Sequence, residues 1–226
     1  MNTVVTTIKR PSPAVIARYR TILIGQLTQR LAPEQLMDSA IQPLGGRGVR
    51  IVGPAVTVGS QHPDFMMGIV GTGVAQAGDV MLIAPQHHEA GAAWGAGLTI
   101  STDIIGCEGV VVDGLVTDAH NILACSTPVF CRGATLRTRP NDEHGSVNSE
   151  VVCGGVRVRP GDLIVGDLDG VCVVPAADIE RLIDPVEASS RQILEGGAQM
   201  RADRATIFDR MGGKKLAADL GLAWID

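Results

Sequence analysis

The stretch 106–118 places a carboxylate at the end of two short predicted strands. Valines occupy 110–112, between a glycine and an Asp-Gly pair, and a short apolar run closed by turn residues is typical of a buried strand. A second short strand, 115–117, would bring Asp118 to its carboxyl end. Ligands in α/β sheets bind outside the carboxyl ends of strands, so Asp118 is a candidate site residue. The alternative, which is compatible with a site role, is that Asp118 is the N-cap of the next helix.

Asp118, His120 and Asn121 form the first of three polar clusters. Mg²⁺ takes oxygen ligands and is often held by one or two carboxylates together with several waters. A single aspartate at a strand end suits such a site, with Mg²⁺ or Mn²⁺ as the cofactor. A divalent ion held there could polarise a carbonyl oxygen and stabilise an enolate.

The other two clusters lie in predicted loops. His87, His88 and Glu89 follow an apolar strand, and three consecutive side chains cannot share one face, although His87 and Glu89 could converge on a loop. The alternative for this cluster is a solvated loop with capping residues. The loop 132–145 is rich in arginine, which suits bidentate carboxylate binding, or else it is a solvated loop or subunit contact. Its charged residues are Arg132, Arg137, Arg139, Asp142, Glu143 and His144.

Composition limits the class of protein. The chain has 226 residues, enough for one well-buried domain, and its 45% hydrophobic content with only 3% aromatics implies an aliphatic core. The net charge of −5 argues against nucleic-acid binding. No run approaches the ~18 apolar residues of a membrane helix, and no signal peptide is apparent. Nucleotide-binding glycine motifs are also missing.

Cysteine usage favours a cytoplasmic protein. The five cysteines, an odd number, form no CxxC pair and lie in apolar or strand-like stretches, so we expect reduced, mostly buried thiols. A catalytic cysteine stays open as an alternative, although no thiol-enzyme signature surrounds any of them. They are Cys107, Cys125, Cys131, Cys153 and Cys172.

The order of patterns predicts a mixed α/β domain over 1–226, with an extended tail at 1–13 and a peripheral tail at 200–226. Expected helices are an amphipathic one from Pro13 to about Leu23 and others over 28–40, 64–74, 90–105, 121–125, 176–195 with an interruption at Pro185, and 204–211. Expected strands include two short ones within 49–60 joined at Gly53-Pro54, then 80–84, 110–112, 115–117, 128–131, 156–158, 163–165 and 171–174, and 41–50 is expected to be a loop.

Several motifs resemble, in order and spacing, those of the RraA-like family. They are GPAVTV at 53–58, AGDVMLI at 77–83, AWG at 93–95, GCEGVVVDGLVTD at 106–118 and PGDLIVGDLDGVCVVP at 160–175. The resemblance spans about residues 14–200. It implies a swivelling β/β/α fold with two N-terminal helices and a C-terminal helix, assembled as a homotrimer or hexamer. The family includes class II aldolases of 4-hydroxy-4-methyl-2-oxoglutarate and 4-carboxy-4-hydroxy-2-oxoadipate, and regulators of ribonuclease activity.

The aldolase pattern of the family is only partly retained. It reads Asp, twenty residues, Arg-Asp, two residues, then an acid, and these positions fall on Ala96, Thr117, Asp118 and Asn121. By resemblance, Asp118 would hold the metal partly through water, while Thr117 replaces the arginine that grips the substrate and stabilises the enolate.

The resemblance also implies where the substrate and a further acid would lie. Backbone amides at Gly97 and Leu98 would bind the substrate carboxylate. An acid from the C-terminal helix of a neighbouring subunit would be Glu187 or Glu195.

The sequence supports three functional hypotheses. The first is a metal-dependent lyase, an aldolase or decarboxylase acting on a small 2-oxo or hydroxy acid, in which Asp118 and Thr117 are catalytic. The missing charge would come from His87, His88, His120 or an arginine of the 132–139 loop. Asn121 joins Gly97, Leu98 and Thr117 in binding substrate. The second is a non-catalytic regulatory oligomer, and the third is a hydrolase or isomerase using His87 and His88.

Overall fold

The computed structural model describes residues 2–46, 48–88, 91–138 and 144–225. Glu89, Arg139, Asp142 and Glu143, members of the predicted polar clusters, lie outside the described residues. The strands are β1 (Thr3–Val4), β2 (Gln42–Pro43), β3 (Ile51–Ser60), β4 (Val80–Pro85), β5 (Ala92–Trp94), β6 (Gly109–Val112), β7 (Leu115–Val116), β8 (Val129–Cys131), β9 (Gly133–Ala134), β10 (Gly145–Val147), β11 (Val151–Cys153), β12 (Val156–Val158), β13 (Leu163–Asp167) and β14 (Gly170–Val174).

Helices lie at both ends of the chain and between the parallel strands. They are α1 (Pro13–Tyr19), α2 (Ile24–Thr28), α3 (Met66–Thr72), α4 (Ala96–Ile105), α5 (Ala119–Ile122), α6 (Ile179–Asp203), α7 (Ile207–Arg210) and α8 (Gly213–Asp219), with one 3₁₀ turn at Pro33–Gln35. Among the described residues, no helix combines the length and the apolar content needed to cross a bilayer.

The main sheet has a parallel centre and antiparallel edges. Strands β3, β4, β6 and β8 run parallel in that order, while β10, β13 and β2 add antiparallel partners. Both faces are covered, so β4 and β6 are buried along their whole length and read as continuous apolar runs. The N-terminal segment, expected to be an extended tail, pairs with the sheet through β1 and β10.

A second, smaller sheet is formed by the segments that follow three strands of the main sheet. After β4, β6 and β8 the chain turns and forms β5, β7 and β9, which run parallel to one another with β7 in the centre. Helix α4 follows β5 and helix α5 follows β7. The carboxyl end of the small sheet is therefore the place where two helices begin, next to each other.

Aliphatic side chains form the core, as the composition predicts. Helices α1, α2 and α6 pack against the β13–β14 hairpin, where the Tyr19 hydroxyl donates to the carbonyl of Ile179 at 2.8 Å. Four of the five cysteines are buried and all five are free thiols.

The strand β3 corrects the prediction of two strands joined at Gly53-Pro54. It is one ten-residue strand, in which pairing with β13 ends at Pro54 and pairing with β4 begins at Ala55. The amide of Ala55 points to the β13 side, where it donates to Asp162. The nitrogen of Pro54 therefore faces the opposite side, where pairing with β4 starts only at the next residue. Its missing N–H leaves no carbonyl of a neighbouring strand without a partner.

Two helix predictions are also wrong. The region 28–40 holds only the end of α2 and a 3₁₀ turn, and the predicted loop 41–50 contains β2. The helix predicted from residue 90 starts at Ala96, because Ala92–Trp94 pairs with β7 as strand β5. Small residues at 91–97 fit both the helical period of about 3.6 residues and the strand period of 2. Pairing with β7 is what makes Ala92–Trp94 a strand.

Helix α6 runs through Pro185 without the predicted interruption. A proline inside a helix removes one hydrogen bond and costs roughly 3 kcal/mol. Pro185 is exposed, while the residues around it pack on the sheet and hold the helix in place. The buried positions follow helical spacing: Ile179, Leu182, Ile183, Val186 and Ser190.

Candidate functional site

The carboxyl end of the small sheet brings two helix starts together. The amide of Thr117 donates to the carbonyl of Trp94 at 2.9 Å, which joins the end of β7 to the end of β5. Asp118 then precedes α5, and Gly95 precedes α4. Asp118 thus lies at the end of the central strand, beside the N-terminus of a ten-residue helix.

Asp118 has an unusual backbone conformation. Its φ of 57° and ψ of 37° are left-handed, a region that a non-glycine residue adopts only at some cost. The backbone carbonyl of Asp118 accepts from the amides of Asn121 and Ile122, but its side chain makes no capping hydrogen bond. Asp118 therefore occupies the N-cap position of α5, as the alternative held, but its side chain does not cap the helix, and the exposed carboxylate is left for another role.

The absence of a side chain at Gly95 leaves a small space beside Thr117 and Asp118, which a Cβ would crowd. A Cβ at position 95 would lie 3.2 Å from Cγ2 of Thr117, 3.6 Å from Oδ2 of Asp118 and 3.9 Å from the ring of Phe65. Sequence reasoning noted the AWG motif but did not assign Gly95 to the site. The signal that could have found it is a glycine directly before a helix, next to a strand-end aspartate.

The first turn of α4 presents free backbone amides next to this space. The first helical hydrogen bond runs from the amide of Thr99 to the carbonyl of Gly95, so the amides of Ala96, Gly97 and Leu98 have no acceptor within the helix. Trp94 Nε1 donates to Thr99 Oγ1 at 2.8 Å and holds this turn against the small sheet. A helix N-terminus of this kind attracts anions such as carboxylates.

Of the remaining predicted residues near Asp118, His120, Asn121 and Gly97 are exposed. His120 and Asn121 lie in the short helix α5, and Gly97 is exposed while Leu98 is buried. Thr117, His120 and Asn121 are neighbours of Asp118 along the chain, between the end of β7 and the short helix α5. Ala96, where the family pattern has an acid, is the first residue of α4.

His88 and Arg132 lie at a different place, the junction between the two sheets. The backbone and Cβ of His88 border Gly114. Asp113 accepts from Arg132 Nε and from the amide of Gly154, each at 2.6 Å, and Arg132 Nη1 donates to Asp38 at 2.7 Å. Arg132 is therefore committed to holding the junction and is not free to replace the missing family arginine.

A cavity of about 840 Å³ opens at this junction. Its lining includes the ionisable residues His88, His144, Asp113 and Glu150. Both carboxylates already have partners, because Asp113 is bound as described and Glu150 accepts from Arg157 and Arg159. Thr117, Asp118, His120 and Asn121 do not line this cavity.

The two candidate acids of the C-terminal helix differ in their contacts. Glu187 accepts from Arg18 at 3.0 and 2.6 Å, and this hydrogen-bonded ion pair lowers the pKa of Glu187. Glu195 lies beyond the last buried residue of α6 and is exposed. Of the two carboxylates, only that of Glu187 is bound by Arg18.

The buried thiols are poorly suited to nucleophilic catalysis. Burial raises the pKa of Cys107 and of Cys172 to about 12, and it also raises the pKa of Cys131 and Cys153. These thiols stay protonated at neutral pH, whereas the thiolate is the nucleophile.

The described residues contain no group of three or more His, Cys, Asp or Glu side chains that could hold a metal ion. A hard cation that keeps several waters needs fewer protein ligands. The exposed carboxylate of Asp118 and the space left by Gly95 fit an ion bound in that way.

Comparison with known proteins identifies the family. The RraA-like model, described as Aldolase/RraA, matches residues 23–173. The chain belongs to the RraA-like family. A relative from Halalkalibacterium halodurans, named "Putative 4-hydroxy-4-methyl-2-oxoglutarate aldolase", is 33% identical over 194 residues, which cover 83% of this chain and 92% of the relative.

Solved structures of the family share this RraA-like fold. The Streptomyces coelicolor protein RraAS2, described as an unusual member of the RNase ES inhibitor RraA family, superimposes with a TM-score of 0.72 at 24% identity, covering 86% of this chain and all of that one. An RNA-processing inhibitor RraA from Thermus thermophilis has a TM-score of 0.58 at 25% identity and covers 66% of this chain and 90% of its own. The mixed α/β fold expected from the sequence is confirmed.

Proposed function

We propose that this RraA-like protein is a divalent-metal-dependent carbon–carbon lyase, an aldolase or decarboxylase acting on a small 2-oxo or hydroxy carboxylic acid. One observation carries the proposal. The backbone of Asp118 is left-handed, and its carboxylate makes no capping hydrogen bond. This carboxylate lies next to the space beside Gly95. The relative named as an aldolase supports the same reaction class.

Each part of the site has a distinct task. Asp118 would hold Mg²⁺ or Mn²⁺ with waters completing the ligand shell, and the bound ion would supply Lewis acidity that favours an enolate. The free amides of Gly97 and Leu98 would bind the substrate carboxylate. Thr117 and Asn121 would contact the substrate, and the exposed His120 is the candidate proton carrier.

We also propose that the protein is a cytoplasmic homo-oligomer. A homo-oligomer, trimer or hexamer, with Glu195 reaching a neighbouring site fits the exposed second half of α6. A small acid as the substrate fits the helix terminus, and a cytoplasmic location fits the free thiols. The role of His88 remains a prediction, since it lies at the junction cavity.

Pyruvate release tests the lyase. The substrates are a panel of 4-hydroxy-2-oxo acids and oxaloacetate, assayed with Mg²⁺, with Mn²⁺ and with chelator. We expect metal-dependent release that falls roughly 10²–10³-fold in Asp118→Asn, with the exposed turn variant Asp169→Asn as a matched control. Release that is equal in Asp118→Asn and the control would contradict the assignment of Asp118.

A second candidate is a non-catalytic regulatory oligomer. The observation that favours it is the replacement of three pattern positions by Ala96, Thr117 and Asn121. The likeness to an RNA-processing inhibitor is consistent with it. It predicts no pyruvate release from any substrate of the panel and co-purification of a protein partner in stoichiometric amount.

A further inference from the structure

The space beside Gly95 has one charged and two apolar neighbours. A Cβ at position 95 would lie 3.2 Å from Cγ2 of Thr117, 3.6 Å from Oδ2 of Asp118 and 3.9 Å from Cε1 of Phe65. The methyl group of a threonine and the edge of a phenyl ring therefore border the same small space as the carboxylate. A ligand that reaches Asp118 through this space meets apolar atoms beside it.

Phe65 is held in this position by the packing of α3. It directly precedes α3, and its carbonyl accepts from the amide of Ile69 at 2.8 Å. A Cβ on Gly68, in the same helix, would lie 3.1 Å from Cδ1 of Leu98 and 3.3 Å from Cζ3 of Trp94. Helix α3 thus packs closely on the end of β5 and the first turn of α4, and Phe65 is half-buried against the core.

The segments that border the site contain no lysine or arginine. They are residues 64–72, 92–105 and 115–125, all of which the structure describes. Their acids other than Asp118 are Asp64 and Asp103, and both accept backbone hydrogen bonds within the chain. Within these segments, a positive charge can come only from a bound ion or from protonated His120.

Charge limits the number of carboxylates that the site can hold. A divalent ion bound to Asp118 leaves one net positive charge, and one substrate carboxylate neutralises it. A second carboxylate beside Phe65 and the methyl of Thr117 would lose water and meet no cation there, and burying an unpaired charge is costly. An alkyl group in the same place gains from contact with the ring and the methyl.

Two described arginines of the loop 132–145 are possible sources of a second positive charge. Arg132 already binds two aspartates. The carbonyl of Arg137 accepts from the amide of Ala92 at the start of β5, whereas Gly95 follows the end of that strand. Three residues of strand span about 10 Å. The side chain of Arg137 is exposed, so a substitution there is informative.

We propose that the substrate is a 2-oxo acid with a single carboxylate, whose far end is an uncharged alkyl group that packs against Phe65 and the methyl of Thr117. This inference rests on the proposed lyase function and narrows its substrate class. In the cleavage of such a 4-hydroxy-2-oxo acid, the C4 hydroxyl loses its proton to a general base, and the bond between C3 and C4 breaks with its electron pair moving to C3. C3 then takes up a proton, and the products are pyruvate and an uncharged aldehyde or ketone.

A pair of unreactive 2-oxo acids tests the inference without turnover. 2-Oxopentanoate and 2-oxoglutarate have the same carbon chain and lack the C4 hydroxyl, and only 2-oxoglutarate carries a second carboxylate. Isothermal titration of the full-length protein with Mg²⁺ present measures both affinities. We expect 2-oxopentanoate to bind about tenfold more tightly. Equal affinities, or tighter binding of 2-oxoglutarate, overturn the inference.

Thr117→Arg should reverse this preference. The substitution places a guanidinium beside the apolar wall, where it can pair with the second carboxylate. We therefore expect 2-oxoglutarate to gain about tenfold in affinity relative to 2-oxopentanoate. Thr21→Arg, at an exposed position after α1, adds the same charge elsewhere and should leave the ratio unchanged. An unchanged ratio in Thr117→Arg overturns the placement of the far end of the ligand beside residue 117.

Phe65→Leu tests the apolar wall. The change keeps an apolar side chain but removes the ring, so 2-oxopentanoate should bind several-fold more weakly while the affinity for 2-oxoglutarate is unchanged. Circular dichroism checks that this variant and the others are folded. Equal weakening of both ligands would show a purely structural role and would overturn the assignment of Phe65.

Arg137→Gln tests whether the loop supplies a second charge. We expect neither affinity to change. A loss of 2-oxoglutarate binding in this variant would assign a second positive charge to Arg137 and would overturn the single-carboxylate class.

Pyruvate release separates this inference from the lyase proposal. Metal-dependent release that is faster from 4-hydroxy-2-oxopentanoate than from 4-hydroxy-2-oxoglutarate supports both. The opposite order overturns the single-carboxylate class and leaves the lyase standing. No release from either acid contradicts the lyase, and the substrate class is then overturned with it.

Discussion

Two aspartates close together in the sequence illustrate two different regions of the molecule. Asp113 lies at the junction of the sheets, where Arg132 and the amide of Gly154 occupy its two oxygens. Asp118 lies at the end of the small sheet, where its side chain is exposed and makes no capping hydrogen bond. The first carboxylate binds strands together, and the second is available to a ligand.

The difference arises from the element into which each strand leads. After β6 the chain turns at Gly114 and enters β7, so Asp113 is enclosed by the connections of neighbouring strands. After β7 the chain starts a helix, and helix starts carry unsatisfied amides that attract anions and water. A strand-end aspartate is therefore a structural or a functional group according to whether a strand or a helix comes next.

The largest effect on stability should come from the junction. Asp113→Asn leaves an amide facing Arg132 or the Gly154 amide, and breaking a buried ion pair in this way costs about 3 kcal/mol. Asp38→Asn removes the other carboxylate on Arg132, but Asp38 is 47% exposed, so the expected loss is below about 1 kcal/mol. Urea unfolding measures both variants. Equal losses would contradict the distinction between an enclosed and an exposed partner.

A smaller effect, on activity and not on stability, should come from the end of the small sheet. Gly95→Ala adds a methyl group 3.2 Å from Thr117 and 3.6 Å from Asp118. We expect a roughly tenfold loss of turnover, or about 1.4 kcal/mol of transition-state stabilisation, because in the proposed lyase the substrate and the metal would share this space. Gly25→Ala, where nothing lies within 4 Å, is the control. Unchanged turnover in Gly95→Ala would place the chemistry elsewhere.

The smallest effect should appear only as a pH dependence. Burial raises the pKa of Asp103, but hydrogen bonds from the Thr127 hydroxyl and the amides of Ser126 and Thr127 outweigh it and lower the pKa. A depressed pKa means that this stabilisation is present above the unfolded value near 4 and is lost as the pH falls through the folded value.

Thermal unfolding of Asp103→Asn from pH 7 to pH 2 checks this linkage. The melting temperature should lie below that of wild type at neutral pH, and the gap should close below about pH 4. A gap that stays constant over this range would show that the carboxylate charge is not involved.

The strands with a strong local pattern were predictable, and those that depend on a distant partner were not. The valine run at β6 and the hairpin β13–β14 have apolar runs bounded by turn residues, and both predictions are confirmed. Strand β5 looks helical in isolation, because only pairing with β7 distinguishes it. Likewise, Pro54 and Pro185 are tolerated because of the neighbours that each one meets.

The type of residue at the site was predictable, but which of the predicted residues lie together was not. A strand-end aspartate followed by a helix could be found at Asp118 from the sequence. The separation of His88 and Arg132 from it could not, since it depends on the chain turning from one sheet to another at Gly114. The importance of Gly95 depends on its distance to Thr117 and Asp118, which spacing along the chain does not contain.

Mn²⁺ binding measured by electron paramagnetic resonance is the most direct test of the claim that Asp118 is the free, ligand-binding carboxylate. The account predicts one bound Mn²⁺ per chain in wild type, loss of that ion in Asp118→Asn, and retention in folded Asp113→Asn. Retention of the ion in Asp118→Asn with loss in Asp113→Asn would contradict it and would place the metal at the junction.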